Sequence, residues 1–176
     1  MDIQTFLELC VGQWFSQRSS YQFEAQKAES HKSELTVELF SAEHTEVMAI
    51  CQQYGLKPNN SMIGQKISWD NAVDWGKAKQ GGTTTIIIVP DENNPQIGRI
   101  LRGINAQLSS STGNYSLGQD EALTLTLEGD NIHIEERLWF ASPNLRLRSS
   151  LIKGANGYSR TAFYSEIRKL PPKDAA

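Results

Sequence analysis

The chain has 176 residues, with Lys+Arg 17 against Asp+Glu 20 and a formal charge of −3, so its overall field does not match a nucleic acid. Any anion site must be a local gathering of arginines. Apolar content of 39% and charged content of 21% exclude a disordered chain and fit one domain with a sizeable core.

The opening Met1-Asp2-Ile3-Gln4-Thr5-Phe6 lacks the basic start and apolar core of a secretory signal. The longest aliphatic run, Ile86 to Val89, is far short of the roughly 20 residues a membrane helix needs. A cytoplasmic protein with neither a membrane nor a nucleic acid as partner is expected. A first helix is expected from Asp2 to about Phe15, with Asp2 as N-cap and Phe6, Cys10 and Trp14 forming an apolar stripe. A strand follows from Trp14 or Phe15 to Ala25. Glu34 to Phe40 alternates, with Leu35, Val37 and Leu39 on one face and Thr36 and Glu38 on the other. Ser41 is placed to cap a second helix carrying Val47, Ile50, Cys51 and Tyr54, which Gly55 stops. Both cysteines thus fall in helices, without CxxC or metal-ligand spacing, which argues for a reducing compartment and no disulfide.

Everything beyond reads as β. Lys66–Trp69, Ala72–Lys77, Thr83–Val89, Gly98–Gly103, Gly113–Leu117, Ala122–Glu128, Ile132–Phe140, Leu145–Lys153 and Tyr158–Arg168 are short and rich in β-branched or aromatic residues. Turn signals such as Asp70-Asn71, Gly81-Gly82, Gly129-Asp130-Asn131 and Ser142-Pro143-Asn144 separate them. Close spacing favours antiparallel pairing, and closure removes exposed edges. The expected fold is mainly β: an antiparallel barrel of about ten strands with two short helices. Residues 1–170 form one domain in this reading, Ser109 to Gly113 a flexible surface loop, and 171–176, with Pro171-Pro172, a frayed tail.

Familiar catalytic signatures (GxSxG, HExxH, P-loop, GxGxxG) do not occur. His31, His44 and His133 lie scattered among polar neighbours and read as surface residues, with no metal site. The Arg residues concentrate in the last quarter: Arg137, Arg146, Arg148, Arg160 and Arg168. Arg146 and Arg148 are two apart, so on a strand they share a face, and Glu136 on the partner strand can share it too. Either Leu145, Leu147 and Leu151 fill the core with the arginines outside, or the arginines line a pocket. Periodicity alone leans to the outside. In a barrel wide enough to hold a ligand, inward arginines can pair with Glu136 and a ligand carboxylate. Trp69 and Trp75, flanked by Asp70 and Asp74, offer apolar area beside hydrogen-bond acceptors, and Arg18 enters a strand after an apolar helix end.

Trp14-Phe15-Ser16-Gln17-Arg18, Ile67-Ser68-Trp69-Asp70, the run from Glu135 to Arg148 (Glu-Glu-Arg-Leu-Trp-Phe-Ala-Ser-Pro-Asn-Leu-Arg-Leu-Arg) and Ser165-Glu166-Ile167-Arg168 occur in this order. Together they resemble the S/U-type phycobiliprotein bilin lyases, the CpcS/CpeS/CpcU family, over nearly the whole chain. The resemblance implies a lipocalin-like, fatty-acid-binding-protein-like barrel of about ten strands. It implies a substrate rather than a prosthetic group: a phycobilin, phycocyanobilin or phycoerythrobilin, attached through a thioether to a cysteine of a phycobiliprotein α or β subunit. A homodimer, or a heterodimer with a second S/U-type chain, would fit the family.

On this resemblance Glu136, Arg146 and Arg148 are the expected catalytic set, with Arg18, Trp69, Asp70, Trp75 and Ser150 binding the ligand. Arginines suit the bilin propionates, Glu136 the pyrrole N–H groups and the cationic bilin, and tryptophans the chromophore plane. Glu136→Gln or Arg146→Ala is expected to cut transfer with the fold intact. One departure is Tyr21-Gln22 where family members often carry His-His. It keeps open a non-catalytic bilin carrier or one subunit of a heteromeric lyase. A generic lipid carrier is a third reading, disfavoured because a fatty acid has no N–H donors for the acids near Trp69 and Trp75.

Overall fold

The computed structural model describes residues 1–103, 112–129 and 131–170. Ten strands close into one barrel: β1 (Gly12–Gln22), β2 (Lys27–Phe40), β3 (Ile63–Asp70), β4 (Gly81–Pro90), β5 (Ile97–Arg102), β6 (Thr112–Leu117), β7 (Leu123–Gly129), β8 (Ile132–Ser142), β9 (Leu145–Lys153) and β10 (Ser159–Arg168). Neighbours in sequence are neighbours in the sheet, and antiparallel pairing of β1 with β10 closes it. The alternation seen in the sequence becomes a two-faced wall. Leu35 and Val37, Ile88, Ile100, Leu123 and Leu125 point inward and are buried, as period-two side-chain placement requires.

The first helix, α1 (Ile3–Cys10), is capped by Asp2, whose carboxylate accepts the Thr5 N–H at 2.7 Å. It stops short of the expected Phe15. Val11 is extended and Gly12 takes φ +123°, a region glycine enters without cost, so the chain turns straight into β1. The Phe6, Cys10 and Trp14 stripe is nevertheless a real contact. The Trp14 indole, already on β1, donates to the Cys10 carbonyl at 2.9 Å. With Ile3, Phe6 and Leu7, α1 packs into the core beside Trp14, Tyr115 and Leu117. The second helix, α2 (Thr45–Gln53), lies outside the barrel, with Val47, Ile50 and Cys51 against Met62, Ile87 and Leu101. Its N-cap is His44, which accepts the Glu46 N–H at 3.3 Å, and not Ser41.

Two strand expectations are corrected. Strand β2 begins at Lys27, seven residues before Glu34, and Ala72–Lys77 contains no strand. Side chains there bond to backbone and hold turns: Asp70 accepts the Ala72 N–H, and Asn71 bonds both Ala78 and Gln80. The segment is strapped along the part of β2 that β3 does not reach, with Asp74 accepting the Lys32 N–H at 3.1 Å and Lys77 donating to the Ser30 carbonyl at 3.2 Å. Thr112 and Gly113, placed in the expected loop, open β6. Ser109 to Ser111, Asp130 and the expected tail lie outside the described residues. No described helix is long and apolar enough to cross a membrane.

Candidate functional site: a charged inner wall

The wall formed by β8, β9, β10 and β1 carries three consecutive inward rows. Nearest α1, Ser16, Glu166, Arg146 and Phe140 pair across the four strands; next come Arg18, Tyr164, Arg148 and Leu138; then Ser20, Ala162, Ser150 and Glu136. Inwardness follows from burial: Arg146 is 4% exposed and Glu166 0%. Their outward neighbours Phe163 and Ile167 are 47% and 54% exposed. The inside-or-outside ambiguity of the hairpin therefore resolves inward. Leu145, Leu147 and Leu151 take the outer face, where Leu147 pairs with Trp139 and Leu145 with Ile167.

Charges alternate along this wall. Arg146 Nε donates to Glu166 Oε2 at 2.6 Å, and its guanidinium lies 4.8 Å from the Trp14 ring. Arg148 is shared: Nη2 is 3.3 Å from Glu166 Oε1, while Nη1 is 3.4 Å from Glu136 Oε1. Its guanidinium stacks 3.8 Å from the Tyr164 ring. Ser16 Oγ approaches Glu166 Oε1 at 3.5 Å. Burial alone would pull the Arg146 guanidinium down, but Glu166 and the Cys10 thiol more than reverse this and hold it above its ordinary value. Arg148 behaves likewise: Glu136 and Glu166 outweigh burial and hold it above its ordinary value. Both guanidiniums are charged at any physiological pH. The Nε atoms of Arg18 and Arg148 are buried without a hydrogen-bond partner, the kind of group a folded protein rarely leaves unanswered.

Of the eight expected site residues, Glu136, Arg146, Arg148, Arg18 and Ser150 come together on this wall. Trp69 shares the inner face from β3, beside Leu35. It lies over Gly82, where a Cβ would sit 2.8 Å from the indole Nε1. Asp70 points the other way, is exposed and holds the following turn. Trp75 is 91% exposed at the strap, away from this wall. A groove of about 570 Å³ has Trp69 and Asp70 in its lining but none of these arginines; its position over outward Glu34, Thr36 and Ser68 sets it apart from the charged wall.

Sequence reasoning missed Glu166, Tyr164 and His31. Glu166 shares the inward parity of β10 with Ala162 and Tyr164, but the apolar Phe163 and Ile167 hold the other parity and are exposed, so alternation on that strand alone points Glu166 outside. His31, read as a surface residue, pairs in register with Arg18 and stands 3.7 Å from both Asp74 and Glu29. The other two histidines have local roles: His44 stacks on Phe40 with ring centroids 3.8 Å apart, and His133 pairs with Glu128. Tyr21 is exposed, on the outer face of β1, and edges against Phe23. Of this pair, Gln22 holds the inward parity.

A family model described as CpeS-like protein matches residues 2–169. The chain belongs to the CpeS-like family. Among its relatives is the chromophore lyase CpcS/CpeS of Thermosynechococcus vestitus, 43% identical over 169 residues, which are 96% of this chain and 93% of the relative. Chromophore lyase CpcS/CpeS 1 of Synechocystis sp. is also 43% identical, over 175 residues, with 99% of this chain and 94% of the relative covered. Among solved structures, the S-type phycobiliprotein lyase CPES from Guillardia theta superposes with a TM-score of 0.83 at 27% identity, covering 97% of this chain and 94% of that one. The closed barrel with two helices is thus the CpeS-like fold, and the charged wall lies within the part of the chain the family model spans.

Proposed function

We propose that this CpeS-like chain is a chromophore lyase: it binds a phycobilin inside the barrel and attaches it through a thioether to a cysteine of a phycobiliprotein subunit, with residues 1–170 acting as one bilin-binding domain. The observation that carries the reading is the inward wall of Arg18, Arg148 and Glu136, with two buried guanidinium N–H groups unanswered, in a chain of this family. A guanidinium grips a carboxylate through parallel charge-assisted hydrogen bonds. Arg148 and Arg18 therefore take a propionate, with Arg146 behind them. Glu136 and Ser150 lie in the next inward row and face the pyrrole N–H groups. A carboxylate there favours the protonated bilin, which makes ring A more electrophilic. Trp69 supplies a flat apolar surface from across the barrel.

The acceptor brings the nucleophile. Its thiolate adds to the ring A ethylidene carbon, an S–C bond forms, the C=C electrons move into the ring, and the thiol proton ends there. Nothing is oxidised or reduced. The barrel contributes position, electrostatics and exclusion of water. Cys10 and Cys51 are buried and burial pushes both thiols up, so neither is set to carry the chromophore.

The test is co-expression with a bilin source and an acceptor subunit, scored as covalent chromophore on a denaturing gel by zinc fluorescence. An adduct is expected, and none with any S/U-type partner supplied overturns the reading. Transfer by the chain alone, or only with a second S/U-type chain, separates a homomeric from a heteromeric lyase. Pairing the chain with α and β subunits in turn identifies the acceptor.

A further inference from the structure

We propose that Glu166 is the positioning residue of this site: it commits Arg146 to the wall and aims Arg148 at a carboxylate of the substrate. The inference rests on the bilin-binding reading and adds a division of labour between the two arginines. Glu166 is 0% exposed and has no surface to offer a ligand. A carboxylate so buried persists only when paired on several sides. Its two oxygens serve different partners. Oε2 takes the short 2.6 Å bond from Arg146, and Oε1 takes the longer 3.3 Å contact from Arg148 together with Ser16.

The two arginines consequently differ in what they can give. Arg146 is committed to Glu166 through Nε and packed against the Trp14 ring, and its side chain is only 5% exposed. The Arg148 side chain keeps 19% exposure and an unpartnered Nε. Tyr164 fixes the plane of its guanidinium, and Glu136 and Glu166 draw on it from two directions at 3.3–3.4 Å. These contacts are long enough to yield to a better acceptor, whereas the 2.6 Å bond is not. Without Glu166, Arg148 is left to close on Glu136 alone. That would neutralise the pair and withdraw positive charge from the ligand.

The experiment compares binding of a free linear tetrapyrrole diacid with that of its dimethyl ester, by absorption titration of the full chain. The parent should prefer the diacid by about tenfold or more, the worth of a charge-assisted hydrogen bond. Glu166→Gln should reduce that preference to about twofold or less, and Glu166→Asp should restore part of it. Arg146→Met with Glu166→Gln replaces the buried ion pair by a neutral one, guards against misfolding and should lose the preference as well. A merely structural role would lower the melting temperature and leave the diacid preference of the folded protein unchanged. Preference retained in either glutamine variant overturns the proposal. A parent that binds diacid and ester equally overturns it too, and a parent that binds no tetrapyrrole overturns the bilin reading itself.

Discussion

Arg146→Ala should destabilise the protein rather than merely disarm it, contrary to the expectation from sequence that the fold would stay intact. Arg146 and Glu166 form a 2.6 Å ion pair with side chains 5% and 0% exposed. Removing one partner of such a pair costs about 3–5 kcal/mol, because the other charge stays buried without compensation. Arg148 remains 3.3 Å from Glu166 and offsets part of this, which favours the lower end, about 3 kcal/mol. Losing the contact between Arg146 and the Trp14 ring adds about 0.5–2 kcal/mol. Together these amount to about 3.5–5 kcal/mol; for a chain of this size each kcal/mol shifts the melting temperature by about 2–4 °C, so a fall of about 7–20 °C is expected. The assay is thermal unfolding followed by near-ultraviolet circular dichroism, with the double variant Arg146→Met, Glu166→Gln alongside. The double variant should be more stable than Arg146→Ala, since it leaves no unpaired buried charge. A melting temperature for Arg146→Ala within about 2 °C of the parent, or a double variant no better than the single one, would refute the reasoning.

Glu136→Gln should behave oppositely. Its contact with Arg148 is 3.4 Å, with side chains 24% and 19% exposed, so stability changes by less than about 1 kcal/mol. Chromophore transfer should fall by about tenfold or more, read by zinc fluorescence on the folded variant. Gly82→Val places a Cβ 2.8 Å from the Trp69 indole nitrogen, so the ring must move; bilin affinity should drop several-fold, about 1 kcal/mol, with altered tryptophan emission. An unchanged emission spectrum would show that Trp69 accommodates the valine where it stands. Tyr115 is pushed up to about 12 from 10.0, chiefly by burial and then by Asp91. Its protonated phenol therefore favours the fold fully below pH 10, and this advantage is lost as pH rises from 10.0 to about 12. Tyr115→Phe, which gives up a 2.9 Å bond to the Pro95 carbonyl, should be about 1 kcal/mol less stable at neutral pH. It should lose less than the parent on raising the pH through that window in denaturant titrations; parallel losses would refute the assignment.

The barrel was legible because most strands alternate one apolar face with one polar face between strong turn signals. The failures have local causes. Lys27 to Ser33 carries polar side chains at both parities, His31 and Ser33 inward and Ser30 and Lys32 outward, so the first half of β2 gives no alternation to read. Val73 and Trp75 have strand propensity, but Asp70, Asn71 and Asp74 satisfy backbone groups that a strand would have paired. Trp14 imitates a helical stripe because its indole reaches back to the last turn of α1. In the site, residues on one hairpin were found together. Glu166 was not, because its partnership with Arg146 spans 20 residues and depends on a register that no local pattern encodes.

That register also explains why the arginines face inward although Leu145, Leu147 and Leu151 compete for the same choice. A slip of one residue would exchange the faces of the whole strand, so parity has to be fixed elsewhere and transmitted. It is fixed at Trp14, held inside by its bond to the Cys10 carbonyl and by the tilted ring of Phe140. Two residues along β1 the parity passes from Ser16 to Glu166 on β10, and from Glu166 to Arg146 on β9. The leucines are then driven outward, where Trp139 lies beside Phe163 with centroids 6.3 Å apart and Leu147 pairs with Trp139. The outer surface thus recovers some of the apolar contact that the charged interior gives up. The helix that packs into the core consequently also decides which face of β9 turns into the barrel. Its shortening to Cys10 by Gly12 is therefore a condition of the site as much as of the fold.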